Sequence, residues 1–292
     1  MSLREELRVP AGKQVDLASI DPAGTPGLPG KAGDQPKRWA AAQLASIGTE
    51  LASHQERLYS GAKVGESRRR VLLVLQAMDC GGKDGTTRKV AGAMNPQGLH
   101  IVSFGKPTEE ERAHDFLWRI RGALPVPGYV GVFNRSHYED VLIVRVHDLV
   151  PRAVWFARYE QINQFERELV EDGTTIVKVM LHISYEEQRQ RLLARLDDPT
   201  KHWKYNPSDV DEREYWPAYQ EAYAEALTRC STAYAPWHVV PADRKWYRDW
   251  AVATLLRETL ADLDLRYPTG DFDVETEKQR IKGGSKPEQS SR

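Results

Sequence analysis

The sequence predicts an α/β fold: a parallel five-stranded sheet flanked by helices on both faces. The main observation is alternation, since short apolar runs that fit buried strands take turns with longer segments whose apolar residues recur at helical spacing. The clearest strand, Val71 to Gln76, is almost continuously apolar, as expected for a parallel strand buried on both sides. A glycine pair, a lysine and a helix-forming segment follow it. This order of elements is typical of a phosphate-binding loop.

The composition is that of an ordinary globular chain and argues against several classes of protein. Of the 292 residues, 40% are hydrophobic, which is enough for one large domain. A formal net charge of -1 gives no bulk attraction to nucleic acid or anionic lipid, so a polyanion would need a local basic patch. Cys80 and Cys230 are too few for a disulfide framework or a zinc site. Without a membrane-length apolar run or a signal-like N-terminus, we expect a cytoplasmic protein.

The chain divides into three predicted parts. Residues 1–36 are rich in glycine and proline and form an extended arm, either lying on the body or mobile. Residues 37–267 form a single domain, and residues 268–292 form a polar, disordered tail. The strands are predicted at residues 71–76, 99–104, 129–133, 174–183 and 237–240. The helices are predicted at residues 36–61, from 84 onward, 108–121, 151–173, 184–196, 211–230 and 244–265.

The loop after the first strand carries the first candidate site. It matches G-x-x-x-x-G-K-[ST] in Gly82 and Lys83, but Ala77 replaces the first glycine and Asp84 replaces the hydroxyl residue. Asp79 inside the loop is unusual, because a carboxylate beside bound phosphate is repelled unless a cation lies between them. We therefore predict Asp79 as a magnesium ligand, with Mn²⁺ as the alternative ion. The competing interpretation is a glycine-rich turn that merely ends a core strand.

Further reactive side chains follow the third strand, where ligands bind in open α/β folds. Asn134 stands where a metal-binding aspartate is usual and supplies no charge. Glu139 is the nearest carboxylate that would compensate, and Asp140 is its rival, although it also suits a helix start. His137 offers a phosphoryl carrier as an alternative to a structural histidine.

A basic segment at about residues 186–212 is predicted to be a lid. Arg191 and Arg195 are four residues apart and share a helix face, and Lys201 and Lys204 follow within one polar stretch. Cations in a lid would neutralise a migrating phosphoryl group, whose charge is spread over three oxygens. A solvated charged face is the alternative.

These motifs together resemble the polyphosphate kinase 2 family. That family's loop is similar to G-x-D-x-x-G-K-[GD]-G-T, and residues 77–86 read A-M-D-C-G-G-K-D-G-T. Its second motif resembles [DN]-R-S-x-Y, found at residues 134–138, and its lid resembles R-x-x-x-R-x-x-D-P-x-K-x-W-K, found at residues 191–204. A fourth match lies at residues 235–243. The likeness covers about residues 36–265, and four motifs in order are far more specific than the loop alone.

The resemblance implies a P-loop kinase fold like that of the thymidylate kinases, with a helical lid, assembled as a homodimer or homotetramer. It also implies magnesium-dependent phosphoryl transfer between inorganic polyphosphate and a nucleotide. In the family pattern Asp79 holds the metal and orients the acceptor, Lys83 contacts the transferred group, and Asn134 with Arg135 binds metal and phosphate. Further residues implied to bind nucleotide or phosphate are Gly81, Gly82, Asp84, Gly85, Thr86, Arg88, Lys89, Lys201 and Lys204, with Arg191 and Arg195 closing over the reacting phosphates.

One departure from the pattern suggests a branch of the family. Many members have W-Y-N-R-A after the serine of the second motif, where this chain has H-Y-E-D-V. The string N-R-S-H-Y-E-D-V-L resembles the branch that phosphorylates both AMP and ADP. We predict that Glu139, which replaces the family's asparagine, determines this specificity.

The sequence therefore leaves three candidate functions. The first is a reversible, polyphosphate-dependent kinase for AMP and ADP, with guanine nucleotides as a further acceptor class and without nucleic-acid or membrane partners. The second is an ATP-dependent nucleoside monophosphate kinase, against which Asp79 argues because the ordinary loop has no carboxylate there. The third is a GTPase-like sensor, which requires an N-K-x-D motif that the sequence lacks.

Overall fold

The structure, a computed structural model, describes residues 2–283 and contains the predicted five-stranded parallel sheet. The strand order is β2-β3-β1-β4-β5, so the first strand lies at the centre. All four pairings between neighbouring strands are parallel. The strands are β1 (Arg70–Ala77), β2 (Leu99–Ser103), β3 (Val130–Asn134), β4 (Thr174–His182) and β5 (Trp237–Pro241).

Helices connect the strands and cover both faces of the sheet. Those before β3 are α1 (Leu3–Leu7), α2 (Pro36–Lys63), α3 (Lys83–Val90), α4 (Glu109–Ala113) and α5 (Trp118–Gly122). Those between β3 and β5 are α6 (Ile143–Val146), α7 (Arg152–Glu171), α8 (Tyr185–Leu196), α9 (Ser208–Asp211) and α10 (Trp216–Cys230). Two more follow β5, namely α11 (Lys245–Asp262) and α12 (Val274–Gly283). None of the helices described within residues 2–283 is both long and apolar enough to cross a membrane.

The central strand β1 supplies side chains to two hydrophobic cores. Val71 and Leu73 pack on one face with α2 and α11, whereas Leu72 and Val74 pack on the other face with α7 and α10. All four side chains are buried, which explains why β1 is apolar at every position instead of alternating. Leu75 of β1 lies beside Asn134 of β3 in the register. The loops that follow these two strands therefore meet at the carboxyl edge of the sheet.

One predicted helix is wrong in its extent. The capping box at its start forms as expected: Glu111 N donates to Thr108 Oγ1 at 3.2 Å, and Thr108 N donates to Glu111 Oε2 at 2.8 Å. The helix does not run on to residue 121 but divides into α4 and α5. His114 between them is extended, and the Asp115 carboxylate accepts a hydrogen bond from Leu117 N at 2.9 Å. This local turn satisfies a backbone donor without a continuous helix.

The N-terminal arm and part of the predicted tail form secondary structure within the described residues. The N-terminal arm lies on the body: Leu3 and Leu7 of α1 are buried, and Arg8 forms an antiparallel bridge with His238 of β5. The tail was predicted to be disordered, but its residues 274–283 form α12, in which no residue is buried. The part of the predicted tail at residues 284–292 lies outside the described residues.

A buried ionic network lies in the core between β4 and α7. Lys178 of β4 pairs with Glu166 of α7, and both side chains are fully buried. Lys178 Nζ also donates to the Tyr138 hydroxyl at 2.8 Å and to the Cys230 carbonyl at 2.6 Å. Burial opposes ionisation of Glu166, but the Lys178 ammonium and a hydrogen bond from His137 outweigh it and lower the pKa of Glu166. The Glu166 carboxylate is therefore favoured in its ionised form, and Lys178 Nζ has three hydrogen-bond acceptors.

Lys178→Met is expected to lower the free energy of unfolding by about 3–5 kcal/mol, because it leaves the Glu166 carboxylate buried without its cation. The double variant Lys178→Met/Glu166→Leu removes both charges and is expected to regain part of the loss. Urea unfolding of both variants measures the two free energies. A single variant as stable as the unmodified protein would contradict this account of the core.

Candidate active site

A cleft of about 530 Å³ opens at the carboxyl edge of the sheet. It combines the phosphate loop, the ends of β2 and β3, and the lid, four segments that are far apart in the chain. Its lining residues are Asp79, Cys80, Gly81, Gly82, Lys83, Asp84, Gly85, Ser103, Phe104, Gly105, Asn134, Arg135, Arg195, Lys204, Asn206 and Asp209. Most of the residues predicted from the sequence to act together thus surround one cavity.

The glycines of the loop are required by close packing. Gly82 caps α3 with φ of +107°, and a Cβ atom there would lie 1.9 Å from Arg248 Nη1. A Cβ atom on Gly81 would lie 2.5 Å from the Cβ of Ala77. Cys80 has φ of +61°, which for a side-chain-bearing residue stores about 1–3 kcal/mol of strain. The loop is therefore a tightly folded, strained turn that leads into the N-terminus of α3, where anions are favoured.

Lys83, the first residue of α3, points back across this loop. Its ammonium donates to the carbonyl of Ala77 at 2.7 Å and to that of Met78 at 3.4 Å. Burial and then the nearby Arg135 guanidinium lower the pKa of Lys83. A phosphate in the cleft would replace these carbonyls as the partner of the ammonium and restore the charge balance.

Asp79 faces the second motif across the cleft. Its Oδ1 accepts a hydrogen bond from Arg135 Nη2 at 2.9 Å. Arg135 itself has φ of +64°, and Cys80, the neighbour of Asp79, has φ of +61°. A residue with a strained backbone conformation therefore lies at each side of this contact. Burial opposes the charge of Arg135, but Glu139 and Asp79 together raise its pKa. With its amide oriented to satisfy both neighbours, Gln76 donates to Glu139 Oε1 at 3.0 Å, which fixes that carboxylate near the end of β1.

Asp84 joins the loop helix to β3 and to the lid. Asn134 Nδ2 donates to Asp84 Oδ1 at 2.8 Å, and Lys204 Nζ donates to Asp84 Oδ2 at 3.2 Å. Burial disfavours the charge of Asp84, but these two hydrogen bonds prevail and lower its pKa. The contact with Lys204 is largely solvent-exposed and therefore weak, about 0–1 kcal/mol.

The lid cations divide into two that line the cleft and two that do not. Arg195 and Lys204 both line the cavity. Arg195 donates to the Lys204 carbonyl at 2.9 Å and to Asp209 Oδ2 at 3.2 Å. Lys201 is outside the cleft and pairs with Asp198 at 2.6 Å. Arg191 lies behind the loop, where its guanidinium is buried and donates to backbone carbonyls.

Three other predicted phosphate binders also lie outside the cleft. Thr86 is buried, and its hydroxyl donates to Asp249 at 3.4 Å. Arg88 and Lys89 are in the last turn of α3, and Arg88 lines a separate groove beside Ile101. Their predicted roles in holding a polyphosphate chain remain predictions.

His137 is positioned as a structural residue. It is buried in the core, and its Nε2 lies 3.3 Å from Glu166 Oε1. Burial lowers the pKa of His137, so the neutral ring is favoured. It does not line the cleft, and this placement favours the structural interpretation over a phosphoryl carrier.

Several residues of the site were missed by the sequence analysis. Arg248 of α11 packs against Gly82 and donates to the Asp249 carboxylate at 2.9 and 2.7 Å. Asp209 partners Arg195 inside the cleft, and Tyr223 has its pKa raised by burial and then by Glu139 and Asp79. The end of β2, residues 103–105, also lines the cavity and could have been found from the rule that ligands bind at strand ends.

The oxygen atoms of the cleft could ligate a magnesium ion whose remaining ligands come from the substrate. Among residues 2–283, no three His, Cys, Asp or Glu side chains form a ready-made metal site. Magnesium is commonly bound by one or two carboxylates together with phosphate oxygens and water. The Asp79 and Asp84 carboxylates line a cleft that also contains four cationic side chains, and carboxylates beside phosphate require an intervening cation. The Asp79 carboxylate therefore suits magnesium as a charged ligand, and the side-chain amide oxygen of Asn134 suits it as a neutral one.

Comparison with known proteins agrees with the geometry. A family model for polyphosphate kinase 2 matches residues 35–267. An AMP/ADP-polyphosphate phosphotransferase of Meiothermus ruber is 48% identical over 264 residues, which are 90% of this chain and 95% of that protein. An ADP-polyphosphate phosphotransferase of Rhodopseudomonas palustris is 44% identical over 75% of this chain and 78% of its own length.

Solved structures give the same result. The crystal structure of polyphosphate kinase 2 from Arthrobacter aurescens TC1 superposes with a TM-score of 0.92 at 50% identity, covering 97% of this chain and 98% of that one. The predicted P-loop kinase fold is thereby confirmed. The chain belongs to the polyphosphate kinase 2 family.

Proposed function

We propose that this protein transfers a phosphoryl group from inorganic polyphosphate to AMP and to ADP, giving ADP and ATP, and that the reaction is reversible. The observation that carries the proposal is the placement of Asp79 and Lys83 in one cleft with cations from the second motif and the lid. A donor without base or sugar needs only such a set of cations. The names of the two relatives, at 48% and 44% identity, support the same donor and acceptors.

The reaction is an in-line displacement at phosphorus. An oxygen of the terminal phosphate of AMP or ADP forms a bond to the terminal phosphorus of the polyphosphate chain, while the bond from that phosphorus to its bridging oxygen breaks. The chain leaves one unit shorter and keeps the electron pair of the broken bond. Lys83, Arg195 and Lys204 line the cleft where the transferred group and the leaving oxygen develop their charge, and stabilising that charge is the main task of a phosphoryl-transfer site.

The remaining cleft residues position these groups. Arg135 is held by Asp79 at 2.9 Å in a strained backbone conformation, so its guanidinium has a defined direction before substrate binds. When bound, magnesium would neutralise phosphate charge and bring the donor and acceptor phosphates together, with Asp79 and Asn134 as its protein ligands. Closure of the lid would exclude water and so protect the phosphoryl group from hydrolysis.

Donor choice tests the proposal. The purified protein, AMP and Mg²⁺ are mixed with either long-chain polyphosphate or ATP as the single phosphate donor, and nucleotides are separated by ion-exchange chromatography. We expect ADP and then ATP to form with polyphosphate. Rapid formation of ADP from AMP and ATP, together with no reaction from polyphosphate, would instead establish the ATP-dependent nucleoside monophosphate kinase.

Glu139→Asn is expected to change the ratio of AMP to ADP use by about tenfold, because it removes a negative charge that acts on Arg135, a residue that lines the cleft. The ratio is measured as kcat/KM for AMP over kcat/KM for ADP, both with polyphosphate. Asp140→Asn is the matched control, since neither carboxylate lines the cleft but that of Asp140 pairs with Arg158 at 3.2 Å. An unchanged ratio in Glu139→Asn, or an equal change in both variants, would remove the basis for assigning specificity to Glu139.

Assembly, acceptor range and location are further parts of the proposal. We propose a homodimer or homotetramer that acts in the cytoplasm on adenine nucleotides, with guanine nucleotides as a second acceptor class. Light scattering coupled to size exclusion measures the mass of the particle. A mass equal to the chain's 33.2 kDa at working concentration would exclude an oligomer.

A further inference from the structure

The segment that follows β5 is held by the N-terminal arm. Residues 20–26, here called the arm strap, run beside residues 242–247 at the carboxyl edge of the sheet. The phosphate loop follows the central strand β1. The arm strap and residues 242–247 lie on the β5 side of this loop, and β3 lies on its other side. Three hydrogen bonds join them: Asp243 N to Pro22 O at 3.1 Å, Arg244 Nε to Ala23 O at 2.8 Å, and the Tyr247 hydroxyl to Pro26 O at 2.7 Å.

The same segment holds Arg191. The Nη2 of Arg191 donates to the Ala242 carbonyl at 2.6 Å and to the Asp243 carbonyl at 3.1 Å. Its Nε donates to Glu187 Oε1 at 2.7 Å, which sets the plane of the guanidinium. Arg191 is buried, so its direction is fixed by these partners and not by solvent.

Arg191 in turn holds the phosphate loop. Its Nη1 donates to the Cys80 carbonyl at 2.9 Å and to the Gly81 carbonyl at 3.2 Å. Cys80 is the loop residue with a left-handed backbone, φ of +61°, a conformation that persists only when the surroundings enforce it. The Arg191 guanidinium helps to hold Cys80 in this conformation, at the point where the loop turns toward the cleft.

We propose that the arm strap is a positioning element of the phosphate loop. It fixes residues 242–247, this segment fixes Arg191, and Arg191 fixes the carbonyls of Cys80 and Gly81. The arm precedes residue 35, where the match to the family model begins, so this element lies outside the matched kinase domain. Misplacing a reactive group by about 1 Å costs on the order of 10²-fold in rate, so a loosened loop lowers turnover even though no substrate contact is lost. The kinetic consequence rests on the proposed function, whereas the loop's rigidity does not.

Two tyrosine variants separate positioning from general stability. Tyr247→Phe deletes the hydroxyl that donates to Pro26 O at 2.7 Å, and Tyr234→Phe deletes one that donates to Asn163 O at 2.8 Å, away from the cleft. Each loses one hydroxyl bond to a backbone carbonyl, so their thermal stabilities should fall comparably. We expect kcat with polyphosphate and ADP to fall about tenfold in Tyr247→Phe and to stay within about twofold in Tyr234→Phe. Equal kcat values in the two variants would overturn the proposal.

A glycine pair in the arm gives a test that does not require activity. Gly27 and Gly12 have similar φ values, +67° and +71°, but a Cβ atom on Gly27 would lie 2.5 Å from Leu3 Cδ1, whereas one on Gly12 meets nothing within 4 Å. Both alanine variants carry similar backbone strain, but only the methyl group of Gly27→Ala, directly after the arm strap, presses on Leu3, and we expect it to displace the strap. Hydrogen exchange of the intact, substrate-free chain is followed at residues 79–83.

The expected result is faster exchange at residues 79–83 in Gly27→Ala and in Tyr247→Phe than in their controls, by about tenfold. Unchanged exchange in both variants would overturn the proposal, whichever phosphate donor the enzyme uses. If the unmodified protein did not use polyphosphate at all, the proposed function would fail while the exchange experiment still decided the role of the arm strap.

Discussion

Lys83→Met is expected to lower the turnover of ADP with polyphosphate by about 10³-fold, while the protein stays folded. Lys83 is a buried cation at the end of the phosphate loop, and its ammonium contacts the Ala77 carbonyl at 2.7 Å. When phosphate occupies the loop, this ammonium is the group placed to neutralise the charge that develops on the transferred oxygens. Removing one such preorganised group typically costs about 10²–10³ in rate, and more in phosphoryl transfer.

The fold should tolerate this change because burial already disfavours the charge, as the lowered pKa of Lys83 indicates. Steady-state kinetics with ADP and polyphosphate give the turnover, and circular dichroism melting gives the stability. Lys63→Met, at the end of α2 and remote from the cleft, is the control and should keep its activity. Near-normal turnover in a folded Lys83→Met would refute the role of Lys83.

Asp79→Asn is expected to lower turnover by about 10²–10³-fold. The amide keeps the size of the side chain but removes the negative charge that pairs with Arg135 at 2.9 Å. Without that charge the guanidinium loses its direction, and a divalent cation loses its charged ligand in the loop. Raising the magnesium concentration should therefore recover part of the activity, which a purely structural role of Asp79 would not produce.

Asp172→Asn is the matched control for Asp79. Its carboxylate also pairs with an arginine, Arg68 at 2.8 Å, but at the opposite end of the sheet from the cleft. Kinetics at several magnesium concentrations compare the two variants. If Asp79→Asn turned over normally, or if its loss were independent of magnesium, Asp79 would not be the metal ligand.

The sequence predicted what local patterns determine. The run Val71 to Gln76 predicted the central strand because a strand buried on both sides admits almost only apolar residues. The capping box at Thr108 predicted where a helix starts. Its end was misjudged because Asp115 forms a local turn with Leu117 N that a helical pattern does not reveal. The motifs around Lys83 and Arg135 were also predicted to meet, since β1 and β3 end at one edge of the sheet.

What depends on distant packing could not be predicted. Arg248 fills the space beside Gly82, more than 160 positions earlier in the chain, and only the folded structure brings them together. The same limit applies to Arg191, whose position in the lid motif suggested a phosphate contact. Its guanidinium turns toward the carbonyls behind the loop because Glu187 and residues 242–243 hold it there. A charged residue's position in a motif therefore predicted its neighbourhood but not its direction.

We propose that Lys83 and Asp79 act together on phosphate in this cleft. A crystal structure of the protein with ADP, Mg²⁺ and a short polyphosphate tests it most directly. We expect Lys83 Nζ to leave the Ala77 carbonyl and contact a phosphate oxygen, and an ion to bind beside Asp79 with phosphate oxygens among its ligands. Phosphates bound elsewhere, with Lys83 still on the Ala77 carbonyl and no ion near Asp79, would contradict it.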